Sequence, residues 1–246
     1  MGTLNEIKIE YYNTLPSTNS FLKTRAKEEN EGLVVVANSQ TEGRGRFGRR
    51  FYSPENSGIY MSILLKPESK DFNSAFITAT AALAVSRATE NLSGKETQIK
   101  WVNDILIGGK KVCGILAEGS IDPSGVLEYV ILGIGINAFL PEKGFHDDIK
   151  DIAGFVFNEN LPELKEKLAK EVINQFFALY QNHNQSEILE EYRKRSAVLG
   201  KEILVLKGDK KIPAKAILID KNFHLKVEYR DKSEEFLNSG EISIKI

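Results

Sequence analysis

Residues 33 to 37 read Leu-Val-Val-Val-Ala, an unbroken apolar run with three β-branched residues at its centre. A sheet wetted on one face shows apolar and polar residues in alternation, so this run belongs to a strand covered on both faces. The rest of the chain must therefore supply a packing layer for each side. Ile7, Ile9 and Tyr11 alternate with polar residues as an opening strand, and Pro16 with Ser17-Thr18-Asn19 brings capping oxygens to a helix expected through about Asn30. Residues 39 to 58 carry four arginines among Gly43, Gly45, Gly48, Pro54 and Gly58, and read as a long basic loop. Ile59, Met61, Ile63 and Leu65 form a strand pattern, and the Ala-rich stretch from Ser74 to about Leu92, free of Gly and Pro, predicts a helix.

Strand patterns follow at 98–102, 105–107, 111–118 and 127–136, with Gly108-Gly109 as a two-residue hairpin turn. Asn160 and Pro162 open a helix whose Leu164, Leu168, Val172, Phe176 and Tyr180 share one face, and the helical pattern resumes from Ser186 to about Ala197. At Gly200 the period changes to two: Ile203/Val205, Ala214/Ala216/Leu218 and Leu225/Val227, separated by Gly208-Asp209 and Asp220-Lys221-Asn222, predict a small β-barrel. Fewer than ~50 residues without a disulfide or metal make a marginal core, so this unit is expected to lean on the larger one. The expected fold is α+β: a mixed, mostly antiparallel sheet packed with helices over residues 1–198, and the barrel over residues 199–246.

Composition narrows the function classes. Lys plus Arg number 33 against 34 Asp plus Glu, a net charge of -1, which lacks the basic excess of a non-specific nucleic-acid binder. Cys113 is the only cysteine and cannot form an intramolecular disulfide, while His146, His183 and His224 lack zinc-ligand spacing. The N-terminus has no signal-peptide layout, and no apolar run nears the ~20 residues of a membrane helix. A cytoplasmic chain without membrane contact is expected.

Three motifs carry chemistry. Gly43-Arg44-Gly45-Arg46-Phe47-Gly48 fits G-x-G-x-x-G, but no helix pattern follows it, and Lys66 stands where a dinucleotide site needs an acidic residue. It reads instead as an anion clamp of backbone N–H groups and guanidinium forks, or as a solvated basic loop. In Lys100-Trp101-Val102-Asn103-Asp104 and Lys111-Val112-Cys113-Gly114-Ile115-Leu116-Ala117-Glu118, a hairpin brings Asn103 and Asp104 close to Lys111. That arrangement suits a phosphate with its metal, or an ordinary charged surface turn. Gly133-Ile134-Gly135-Ile136-Asn137 puts two glycines in a strand, a sign of close approach by a ligand or another backbone. Cys113, flanked by apolar residues, reads as a buried unreactive thiol.

Taken in order, these motifs and Ser17-Thr18-Asn19 and Gln40-Thr41-Glu42 strongly resemble the biotin protein ligases. The resemblance covers residues 1 to about 195, and the unit after Gly200 resembles the family's SH3-like C-terminal domain. It implies that biotin is activated by ATP as biotinyl-5'-AMP and passed to a lysine of a biotin carboxyl carrier domain. It implies a biotin site of Ser17, Thr18, Asn19, Gln40, Arg44, Gly45, Arg46, Lys111 and Gly114. It implies an ATP site of Arg44, Arg46, Trp101, Asn103, Asp104, Lys111 and Asn137, with Asp104 and Asn137 toward Mg²⁺. Arg46, Lys111 and Asp104 are the implied catalytic groups. Val102 and Phe51 depart from the Pro and Trp of many members. Members that also repress transcription carry an N-terminal winged helix-turn-helix, for which Ser17 lies too early, so a monofunctional ligase that does not bind DNA is expected. Edge strands of such a sheet offer a surface for a homodimer. The competing readings are a lipoate-protein ligase, a non-catalytic biotin-binding module, and a nucleic-acid binder using the basic loop.

Overall fold

The computed structural model describes residues 7–67, 73–238 and 241–244. The first sheet has seven strands: β1 (Lys8–Leu15), β2 (Leu33–Gln40), β3 (Gly58–Leu65), β4 (Gln98–Lys100), β5 (Asp104–Ile107), β6 (Lys110–Ile121) and β7 (Leu127–Asn137). Their spatial order is β1-β2-β3-β7-β6-β5-β4; β1 and β2 run parallel and every other pair is antiparallel. The sheet is thus mixed and mostly antiparallel, as the strand patterns predict.

The Leu33–Ala37 run is buried throughout because it faces two apolar layers. Val34 and Val36 point into the main core, beneath α2 (Ser74–Ser93) and α3 (Pro162–Asn182). Leu33, Val35 and Ala37 point into a smaller cluster with Leu22 and Ala26 at α1 (Thr18–Arg25). Helix α2 starts at Asn73, whose side chain accepts from Ala75 N and Phe76 N, and stops at Gly94 in the left-handed region. Helix α1 is shorter than its sequence suggests. Glu28 N and Glu29 N both bond to Arg25 O, which tightens the chain into a turn before Asn30.

After α4 (Gln185–Lys194) come β8 (Glu202–Lys207), β9 (Lys210–Ile219), β10 (Leu225–Tyr229), β11 (Glu234–Leu237) and β12 (Glu241–Ile244). They form an antiparallel sheet in the order β11-β10-β9-β8-β12, and no ladder joins β11 to β12 among the described residues. The pairing therefore gives an open sheet where the sequence suggests a closed barrel, with four-residue strands at both edges. Its apolar side merges with the main core. Phe223 is fully buried, packs against Phe76 and Tyr192, and its carbonyl accepts from Trp101 Nε1 at 2.8 Å. Arg87 and Arg195 link α2 to α4 through Glu191 and Glu90. No helix among the described residues is long and apolar enough to cross a membrane.

Candidate active site

The face of the sheet opposite α2 is only partly covered by α1, and beyond α1 it carries a floor of missing side chains. Register places Gly114 against Gly135 and Leu116 against Gly133. A Cβ on Gly133 would stand 2.3 Å from Asn19 Oδ1, and one on Gly135 would stand 2.6 Å from the Phe51 ring. These glycines let other groups lie flat on the sheet. Above them opens a cavity of about 630 Å³, large enough for a ligand of drug size.

One end of the cavity is neutral and polar. Ser17 caps α1, its Oγ 3.4 Å from Ser20 N. Gln40 Oε1 accepts from Thr18 N at 2.8 Å and from Thr18 Oγ1 at 3.2 Å, while Gln40 Nε2 donates to Ser53 Oγ at 3.0 Å. Ser62 Oγ lies 2.7 Å from Thr18 Oγ1 and 2.6 Å from Asn19 Oδ1. Asn19 Nδ2 donates to Glu118 Oε2 at 2.7 Å. Counting donors and acceptors, the acceptors at Gln40 and Asn19 are engaged, whereas the Ser17 hydroxyl proton and one proton each on Gln40 Nε2 and Asn19 Nδ2 remain for a ligand. This end suits a ligand rich in acceptors.

The other end is cationic. Lys111 Nζ pairs with Asp104 Oδ1 at 2.7 Å across the β5–β6 hairpin, whose Gly108 and Gly109 both have positive φ. Arg46 donates to Asn103 Oδ1 at 3.1 Å, and Asn103 is fixed in turn by Ile115 through two bonds of 2.9 and 3.0 Å. Asn137 Nδ2 donates to Gly154 O at 3.0 Å, leaving its carbonyl oxygen as an acceptor. Trp101 is buried and its N–H is engaged by Phe223, so it serves as a wall.

The segment read as a loop is a short hairpin that roofs the cavity. Arg44 pairs with Arg50, Phe51 N bonds to Gly43 O at 2.9 Å, and a 3₁₀ turn at Arg46–Gly48 forms the tip. Gly43 allows the Phe51 carbonyl to pass within 2.3 Å of where a Cβ would stand, and Gly48 takes a left-handed φ. These two glycines of the G-x-G-x-x-G pattern therefore shape a turn of backbone on backbone. A second flap, residues 138–157, is pinned by Val156 N to Asn137 O and Gly154 N to Lys111 O. It turns Phe145, Ile149 and Ile152 toward the cavity and meets the hairpin where the Tyr52 and His146 rings stand 4.2 Å apart.

All thirteen residues singled out from sequence line this one cavity. Sequence reasoning gave no role to Ser53, Ser62, the bonds of Glu118, or the flap. A lone serine inside the apolar strand Tyr60-Met61-Ser62-Ile63 was the available signal for Ser62, and the flap carries no periodicity at all. Cys113 is buried, and burial pushes its thiol far above the ordinary range; burial also raises the Tyr60 hydroxyl.

Comparison with known proteins gives a consistent picture. The model of the biotin/lipoate A/B protein ligase family matches residues 11–137, more than half of the chain. The bifunctional ligase/repressor BirA of Bacillus subtilis is 42% identical over 144 residues, 58% of this chain and 44% of that protein. The biotin--[acetyl-CoA-carboxylase] ligase of Paracoccus denitrificans is 38% identical over 113 residues, 45% of this chain and 46% of that protein. The aligned chain thus spans less than half the length of these curated relatives. The structure of a biotin protein ligase from Aquifex aeolicus in complex with biotin and ATP superposes with a TM-score of 0.76 at 26% identity, covering 97% of this chain and 98% of that one. Because that family model spans more than half of the residues, including the β6 and β7 strands that floor the cavity, the chain belongs to the biotin/lipoate A/B protein ligase family.

Proposed function

We propose that the protein is an ATP-dependent biotin protein ligase. The observation that carries the reading is one cavity with two chemically different ends on a shared glycine floor. Unused donors at Ser17, Asn19 and Gln40 suit the carbonyl of biotin's ureido ring, and the apolar wall suits its alkyl chain. A lipoyl dithiolane would leave those donors unpaired, which disfavours the lipoate alternative. Arg46 and Lys111, toward the other end, argue against a module that only binds biotin.

In the first step a carboxylate oxygen of biotin attacks the α-phosphorus of ATP, the bond to the β-phosphate bridging oxygen breaks, and pyrophosphate leaves. Like charges approach one another, so positioning and cationic screening by Lys111, Arg46 and Arg44 do most of the work. In the second step the lysine amine of a carrier domain attacks the biotinyl carbonyl and AMP leaves. Asp104 is the one acidic residue among the described residues that line the cavity, and it is our choice for the group that takes the amine proton. A Mg²⁺ ion bound with ATP would neutralise phosphate charge. Among the described residues there is no cluster of three His, Cys, Asp or Glu. Asp104 and Asn137 offer two oxygen donors, a set that fits Mg²⁺ carried largely by phosphate oxygens and water.

We read the C-terminal sheet as the family's SH3-like unit, with the domain boundary at residues 198/199. Gly200 turns there with φ of 77°, and Lys201, Leu206 and Ile242 reach the cavity wall. The testing experiment is biotin-dependent exchange of labelled pyrophosphate into ATP, run beside lipoate, with and without a biotin carrier domain. Exchange with biotin and transfer to the carrier are expected. Exchange with lipoate alone, or with neither acid, overturns the proposal.

A further inference from the structure

Asn19 is held from three strands at once. Its amide lies over Gly133 of β7, its Oδ1 meets Ser62 Oγ of β3, and its Nδ2 donates to Glu118 of β6. Flipping that amide would set its carbonyl oxygen against the Glu118 carboxylate, so Glu118 fixes which way Asn19 faces. The second oxygen of the same carboxylate, Oε1, pairs with Arg44 of the roof hairpin at 3.1 Å. One side chain therefore touches both the polar end of the cavity and the segment that covers it.

We propose that Glu118 is a positioning residue that couples the polar pocket to the roof hairpin, its two oxygens divided between Asn19 and Arg44. The inference rests on the biotin reading for the ligand but not for the contact. Arg44 is half exposed, and an isolated ion pair there contributes little. Here the Asn19 bond has already ordered the carboxylate, so the loss of side-chain freedom on pairing with Arg44 is smaller. Conversely, Arg44 supplies the positive charge facing a carboxylate turned toward the neutral end of the site. A ligand that takes the spare Nδ2 proton of Asn19 stiffens the chain Asn19–Glu118–Arg44 and holds the hairpin down.

The test uses Glu118→Gln and Glu118→Ala in the full chain. Glutamine keeps an acceptor for Asn19 but turns a donor toward the guanidinium, so it breaks the Arg44 side selectively; alanine breaks both. Without any ligand, trypsin cleavage at Arg46, Arg49 and Arg50 should quicken roughly fivefold in both variants, the scale of a partly exposed charged pair. In biotin-dependent pyrophosphate exchange, KM for biotin should rise roughly tenfold for Glu118→Ala and less for Glu118→Gln. Glutamine should thus largely rescue the KM for biotin but not the cleavage rate, a split that general damage to the fold would not give, and kcat should fall in both variants because Arg44 loses its anchor. Unchanged cleavage in Glu118→Gln overturns the proposal whatever the ligand, as does an equal rise of the biotin KM in both variants. A parent chain that shows no biotin-dependent exchange overturns the biotin reading instead, and the ligand-free cleavage rates still decide the role of Glu118.

Discussion

Lys111 Nζ stands 2.7 Å from Asp104 Oδ1, a cation and a carboxylate brought together by the tight turn at Gly108-Gly109. Both side chains retain partial exposure, 34% and 18%, so the pair is open to a ligand and is not a buried structural bridge. Lys111→Ala should lower biotin-dependent pyrophosphate exchange by roughly 10²-fold, about 3 kcal/mol of transition-state stabilisation, on the scale of removing one preorganised donor. Thermal unfolding should shift little. Exchange within threefold of the parent would remove Lys111 from the chemistry.

Gly133 is where the floor and the polar pocket meet. Gly133→Ala would force a Cβ to within 2.3 Å of Asn19 Oδ1, so the amide must move. A loss of about 1–3 kcal/mol in stability is expected from the overpacking, together with at least a tenfold weaker affinity for biotin. Urea unfolding and calorimetric titration measure the two, and undiminished biotin affinity would show that Asn19 is not part of the ligand pocket.

Phe223 joins the C-terminal sheet to the main core by both ring and backbone. Phe223→Ala should cost about 3–5 kcal/mol, as for other fully buried aromatics. Limited proteolysis should then release the segment after Gly200 first. If the sheet stayed as protease-resistant as in the parent, its attachment would lie elsewhere.

On the outer edge of the sheet, Glu10 accepts hydrogen bonds from Arg25 and lies near Lys8 and the Tyr12 hydroxyl, and the Arg25 guanidinium above all holds its carboxyl down to about 2. A carboxyl lowered on folding stabilises the fold fully above its ordinary value near 4.5, and that contribution disappears as pH falls through about 2. Glu10→Gln should therefore be less stable than the parent at pH 7, by about 1 kcal/mol or less for so open a site. The gap should narrow between pH 4.5 and 2. A gap that does not change with pH in urea titrations would assign the loss to packing.

Cys113 should not react with a disulfide reagent in the native protein and should titrate fully in urea, because burial keeps its thiol protonated. Rapid native-state labelling would refute the packing described here.

What could be read from the sequence was whatever is fixed by neighbours along the chain. The Leu33–Ala37 run required two apolar layers and received them, and Gly108-Gly109 made the turn that folds β5 on β6 and lets the Asp104 and Lys111 side chains meet. The pairing of β3 with β7 was not legible, because no local pattern records a partner some seventy residues away, and that pairing is what brings Ser62 beside Gly133. Arginine and glycine content suggested an open loop at 39–58, whereas the backbone bonds from Gly45 N to Arg49 O and from Phe51 N to Gly43 O fold it over the site. The flap at 138–157 owes its shape to backbone bonds with Ser57, Lys111 and Asn137 and to one between its own ends, Phe157 N to Ala138 O, which leave no trace in side-chain periodicity.

The glycine floor has a consequence for how this site can change. A surface formed by leaving atoms out can be altered only by adding them, and at Gly133 and Gly135 even a methyl group collides with Asn19 or Phe51. Recognition in such a pocket is adjustable from above alone, through the hairpin, the flap and the cap of α1. A designer seeking a different ligand should randomise those rims and leave the bottom of the cavity as it is.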